Sequence, residues 1–184
     1  FRSRALLGLT GPGPARLPDL RWLTADTLRL ATPNTVWTWQ LGKPSAERAL
    51  QWPASEAIAL APDDARVACV REHALWLHDR DGRVRQLTFD GSGDVVYGGA
   101  AHRAEFGIDR GLFWSADGRF LAFYREDLRP ITPYPYQDLA AMPPQPVAGR
   151  YPMAGAPHSR VQVGVLDTQD FGIRWLERDP AEDA

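Results

Sequence analysis

Apolar and polar positions along this chain alternate in short runs separated by turn residues. Leu28-Arg29-Leu30 and Val36-Trp37-Thr38-Trp39-Gln40-Leu41 alternate on either side of Asn34-Thr35. Glu56 to Ala61, Arg66 to Arg71, Ala74 to Asp79 and Arg83 to Thr88 form a second series, broken at Pro62-Asp63-Asp64-Ala65 and at Asp81-Gly82. A period of two with β-branched and aromatic residues predicts strands with one buried face. Asp-Gly is the dipeptide of a tight hairpin, because such turns need positive φ. Four short strands joined by tight turns in about 35 residues make one blade of a β-propeller.

The unit repeats. Asp26, Asp63 and Asp117 take the same turn position, 37 and then 54 residues apart. Propeller repeats run to about 40–50 residues. The longer interval contains an added polar segment, His102-Arg103-Ala104-Glu105-Phe106-Gly107-Ile108, and then a strand, Leu112-Phe113-Trp114, a turn at Ser115-Ala116-Asp117-Gly118, and a second strand from Arg119 to Arg125. A β-sandwich with similar hairpins is the alternative; the repeated internal order favours the propeller.

Residues 1–19 carry two Gly-Pro pairs and are expected as a loop or frayed end. Residues 20–184 are expected as an all-β partial propeller of about three blades of four-stranded antiparallel sheet. After Arg125 the alternation fails. Eight prolines between Pro130 and Pro157 predict a long extended connection, since proline fixes φ and removes a ladder donor. Arg160 to Asp167 alternates again, and Ile173-Arg174-Trp175-Leu176 begins a further strand. Three blades do not close a ring, and an open arc leaves strand edges unpaired. The chain also begins at Phe1 and ends in an acidic run, so it is expected to be part of a longer protein.

Composition narrows the function class. The 184 residues are 44% hydrophobic and 24% charged, which excludes a disordered chain. No apolar run reaches the roughly 20 residues that span a bilayer. A net charge of −2 argues against nucleic acid as a partner. Cys69, the single cysteine, is expected in the core, and His73, His78 and His158 lack ligand spacing, so neither a metal nor a cofactor is expected.

Several motifs together carry a resemblance. Tyr97-Gly98-Gly99, His102 to Ile108, Phe113 to Arg125 and Tyr151-Pro152-Met153-Ala154-Gly155-Ala156-Pro157, in order and on blade-like repeats, resemble the N-terminal propeller of the dipeptidyl peptidase IV family of serine peptidases, bacterial type. The resemblance runs from about residue 56 to residue 168. It implies an eight-bladed propeller of which this is a fragment, paired with an α/β-hydrolase domain that is absent here. It implies release of N-terminal dipeptides, usually after proline, with the propeller anchoring the substrate's free N-terminus and gating access.

Glu105 occupies the insert where family members place glutamates that bind the substrate ammonium. An ammonium brings three donors and a charge, and a carboxylate answers both. Many members have two adjacent glutamates; here the neighbours are Ala104 and Phe106. His102 and Arg103 are candidates to orient Glu105, and Tyr124 and Arg125 to line the substrate cleft. None of the six serines lies in a Gly-x-Ser-x-Gly elbow, so this chain is expected to be inactive alone. The implied partners are a peptide with a free N-terminus, the hydrolase domain of the same protein and, for the full-length protein, a second copy; the implied location is periplasmic or secreted. A non-catalytic propeller that binds protein partners is the competing reading.

Overall fold

A computed structural model describes residues 19–101 and 107–177, and it is all-β. The first sheet joins β1 (Asp19–Trp22), β2 (Thr27–Thr32), β3 (Thr35–Gln40) and β4 (Glu47–Gln51) in sequential antiparallel order. The second does the same with β5 (Ala57–Leu60), β6 (Arg66–Arg71), β7 (Ala74–Asp79) and β8 (Val84–Gln86). The third has the order β10 (Leu112–Trp114), β11 (Phe120–Asp127), β14 (Arg160–Asp167), β15 (Ile173–Trp175). The first two are four-stranded meanders, the third has this four-stranded order plus a fifth short strand beside β11, and together they are the blades of a partial propeller.

Asp26, Asp63 and Asp117 each fall between the first and second strand of a blade. The Asp63 and Asp117 carboxylates accept the N–H two residues on, from Ala65 and Arg119, both at 3.0 Å. This is the local bond for which aspartate is chosen at turns.

The blades pack through their faces. Val36, Leu50 and Trp52 of the first meet Val67 of the second. Ala68, Val70, Leu75 and Leu77 of the second meet Leu112, Leu121, Phe123 and Leu166 of the third. Phe123, Leu75, Leu121 and Leu166 are fully buried, and burial of each such side chain contributes about 1.5–3 kcal/mol. Phe123 has room because Gly164 stands opposite it on β14; a Cβ at Gly164 would lie 2.5 Å from the ring. At the inner strands, the Trp114 indole N–H donates to the Ala59 carbonyl across the blade junction at 2.9 Å. Cys69 is buried in β6, and burial pushes its thiol pKa up.

Two elements depart from the sequence expectation. The proline-rich stretch is extended as expected but not unpaired: β12 (Pro133–Asp138) and β13 (Gln145–Arg150) pair as a two-stranded arm between β11 and β14. Pro133, Pro135 and Pro146 share one parity of the register, so their missing N–H groups face away from the partner strand. The other departure is β9 (Val95–Tyr97), a three-residue strand pairing with the outer end of β11, Arg125 to Asp127. The strands begin at Asp19, one residue earlier than expected; residues 1–18 lie outside the described ones.

Candidate functional site

Gly98-Gly99 precede the polar insert in the sequence and Gly111 follows it. Both stems are fastened to one residue. The Gly98 N–H donates to the Tyr124 carbonyl at 2.8 Å, and the Tyr124 N–H donates to the Gly111 carbonyl at 3.0 Å. The stems also cross in direct contact. A Cβ on Gly111 would lie 2.0 Å from the Gly99 carbonyl oxygen, so only glycine fits there. Gly98 has φ +62 and packs where a Cβ would meet Leu112 and Val70 at under 3 Å. Sequence thus dictates a closed base: glycine at 98 and 111, where a Cβ has no room, and a strand residue whose backbone serves both sides.

The next residue, Arg125, holds the same region through its side chain. On the ladder it faces Tyr97 of β9 on one side and Gln162 of β14 on the other. Its Nε donates to the Tyr97 hydroxyl at 3.1 Å, Nη2 to Asp90 Oδ2 at 2.9 Å, and Nη1 to Gln162 Oε1 at 3.2 Å. The Tyr97 hydroxyl in turn donates to Asp90 Oδ1 at 2.5 Å. Tyr97 is 3% exposed, and its ring lies against Phe123.

Electrostatics fix the protonation of this network. Burial, and then the bond to Asp90, push the Tyr97 pKa up to about 12. Burial opposes ionisation of Asp90, but the bonds from Tyr97 and Arg125 outweigh it and hold that carboxyl below the usual range. Between these limits Tyr97 is a neutral donor, Asp90 an anion and Arg125 a cation. The other end of β9 is tied to the arm: Arg150 Nε and Nη2 bond both Asp94 oxygens at 2.6 and 3.0 Å.

Of the five residues expected at the site, the structure places two. Tyr124 is half-buried, its ring edge-on to Phe113 at 5.5 Å, and its backbone holds both stems. Arg125 lies beside it, with an acceptor on each of its three nitrogens. His102, Arg103 and Glu105 lie outside the described residues. Sequence reasoning missed Asp90, Tyr97 and Gln162. Asp90-Gly91 reads as an ordinary turn, and nothing local in Tyr97 or Gln162 marks a partner 28 or 37 residues away. Among the described residues, no three His, Cys, Asp or Glu side chains converge to hold a metal ion.

Comparison with known proteins places this geometry. Residues 22–183 match the model of the dipeptidyl peptidase IV (DPP IV) N-terminal region. The chain is 30% identical over 149 residues to a protein of Tuber melanosporum named probable dipeptidyl-aminopeptidase B, covering 71% of this chain and 16% of that one. The protein of the same name from Pyrenophora tritici-repentis is 29% identical over 135 residues, covering 65% and 15%. A Bacteroides ovatus crystal structure, assigned as a dipeptidyl aminopeptidase IV, superposes with TM-score 0.72 at 25% identity over 88% of this chain and 22% of that one. Porphyromonas gingivalis dipeptidyl peptidase 4 shares the fold with TM-score 0.64 at 23% identity over 88% and 23%. The chain therefore spans about a sixth of the length of the curated relatives and under a quarter of the solved structures it matches.

Proposed function

The chain belongs to the dipeptidyl peptidase IV N-terminal region family, and from that premise we propose that it is the part of a dipeptidyl aminopeptidase propeller that receives the substrate's free N-terminus. Glu105 is the anchor. In the sequence it falls between Gly99 and Gly111, which the structure brings into contact and the backbone of Tyr124 ties together, and that closed base is the observation carrying the reading. A carboxylate meant to measure a distance must be carried on a support that does not drift, since misplacement by about 1 Å can cost on the order of 100-fold in rate. The insert is supported in this way, while the rest of the blade needs no such addition to pack.

The chemistry follows from the charges. The α-ammonium of a peptide presents three donors and a positive charge, and Glu105 supplies a negative acceptor. Fixing that amine at a set distance from a nucleophile selects cleavage after the second residue, most usefully after proline. His102 and Arg103, adjacent in sequence, orient the carboxylate. Tyr124 and Arg125 complete the wall at the foot of the insert. The catalytic serine, aspartate and histidine belong to an α/β-hydrolase domain elsewhere in the full-length protein, which acts as a homodimer in the periplasm or outside the cell.

Glu105→Gln in the full-length enzyme keeps size and polarity and removes the charge. KM for a free-amine dipeptide substrate should rise, with a loss of about 2–5 kcal/mol if the ion pair is buried in the complex. Unchanged kinetics in a folded variant would refute the anchor, and would leave a non-catalytic partner-binding propeller as the better reading.

A further inference from the structure

We propose that Arg125, acting with Asp90 and Tyr97, is a positioning residue that fixes the stems of the insert and thereby sets affinity for the substrate amine. The inference rests on the reading of Glu105 as the amine anchor.

The geometry separates positioning from direct contact. A guanidinium that meets substrate keeps an edge free. In Arg125 each nitrogen already donates to a protein acceptor, on Tyr97, Asp90 and Gln162. Those bonds take three of its five N–H groups, the side chain is 15% exposed over the Tyr97 ring, and its charge is paired with Asp90 within the fold. What it holds is more telling. Tyr97 ends β9, and the next residue, Gly98, begins the outgoing stem. Arg125 follows Tyr124, whose backbone holds both stems. Two consecutive residues of β11 therefore grip two consecutive residues of the outgoing stem, one through the side chain and one through the backbone.

The grip matters because of where on β9 it falls. β9 is three residues long and lies off the main strand order of its sheet. Besides its ladder to β11 it has a bridge from Val95 to Ser92, the burial of Val95 and Tyr97, and the Arg150–Asp94 tie at its far end, so the Arg125 network is what holds the end that leads into the stem. Three ladder positions alone leave such a strand free to fray. The Arg125–Asp90–Tyr97 network adds three charge-assisted bonds, which are stronger than ladder bonds and fixed in direction. Lysine cannot replace arginine here. A single ammonium does not span a carboxylate, a hydroxyl and an amide oxygen on three separate segments.

The test uses the full-length enzyme and a dipeptidyl anilide with a free amine. Arg125→Gln should raise KM about 10- to 100-fold, within the loss that removal of the amine ion pair itself brings, while kcat changes by less than about threefold. Arg125→Lys should recover only a minor part. Labelling of the catalytic serine by a fluorophosphonate, which has no amine, should proceed at the wild-type rate. The double variant with Glu105→Gln should be no worse than Glu105→Gln alone, because a lost anchor leaves nothing to position. A purely architectural role predicts instead a fall in kcat, slowed labelling and additive losses, and any of these overturns the proposal, as does an unchanged KM. If Arg125→Gln does not fold, Tyr97→Phe removes one hydroxyl from the same network and is read by the same criteria. A KM effect in Glu105→Gln with none in the Arg125 and Tyr97 variants overturns the positioning role alone. No effect in Glu105→Gln overturns the anchor, and the positioning role with it.

Discussion

The stem crossing makes a quantitative demand on Gly111. In Gly111→Ala the new methyl would stand 2.0 Å from the Gly99 carbonyl oxygen and 2.8 Å from the carbonyl carbons of Gly98 and Gly99. A carbon and a carbonyl oxygen approach to about 3.3 Å at closest. All three neighbours are backbone, so no side chain can rotate away, and the stems must part by more than an ångström. Overpacking of this kind typically costs about 1–3 kcal/mol. Here the cost falls on the two bonds that close the base, Gly98 N–H to the Tyr124 carbonyl and Tyr124 N–H to the Gly111 carbonyl. Local opening becomes easier by that amount, which is about 5- to 150-fold in an exchange rate at roughly 1.4 kcal/mol per decade. Hydrogen exchange by mass spectrometry on the full-length protein, following peptides over residues 95–101 and 121–126, reads this directly. Gly99→Ala is the control, because a Cβ there has no atom within 4 Å. It should exchange as the wild type does. Equal exchange in the two variants would refute the crossing as the device that closes the insert.

Two further outcomes concern the scaffold. Asp64 is buried at φ +53, lies in an ion pair with Arg29 at 2.9 Å and accepts a hydrogen bond from Arg21 at 3.1 Å across the first blade junction. Asp64→Asn suits the backbone but removes one counter-charge from a buried Arg29. It should cost about 3 kcal/mol, the low end for a broken buried pair because Asp19 still reaches Arg29; a loss under about 0.5 kcal/mol in denaturant unfolding of the full-length protein followed by tryptophan fluorescence would contradict it. The second outcome is acid sensitivity. The Arg129 guanidinium bonds both oxygens of Asp127 and holds its pKa down to about 2. A depressed folded pKa contributes stability that is fully present above the unfolded value near 4 and is lost as pH falls toward 2. Asp94, Asp117 and Asp167 are lowered as well, by bonds from Arg150, Ser115 and Arg119. Unfolding should set in between about pH 4 and 2, and Asp127→Asn should flatten that slope; an unchanged acid titration would contradict the assignment.

The blades were legible because their signals are local. Alternation and the turn aspartates mark β2, β3, β6, β7 and β11 without reference to the rest of the chain. The arm was not legible, because proline argues against a strand unless its register is known, and register is a property of the pair: Pro133, Pro135 and Pro146 are tolerated only because all three face outward. β9 was missed because Val95-Val96-Tyr97 is too short to alternate visibly. At the site, the motif around Glu105 and the Tyr124-Arg125 pair could be read from residue types. Asp90 and Gln162 could not, since their role exists only once β9 and β14 flank β11. The glycines at 98, 99 and 111 look like ordinary loop residues until the stems are seen to cross.

The most direct trial of the account removes the amine from the substrate as well as the charge from the protein. In the full-length enzyme, kcat/KM is measured for a free-amine dipeptide substrate and for its des-amino counterpart, with wild type and with Glu105→Gln. A wild-type loss on removing the amine of roughly 30- to 3,000-fold corresponds to about 2–5 kcal/mol. This loss should nearly vanish in Glu105→Gln, because the same ion pair has already been removed. An equal loss in both proteins would contradict it.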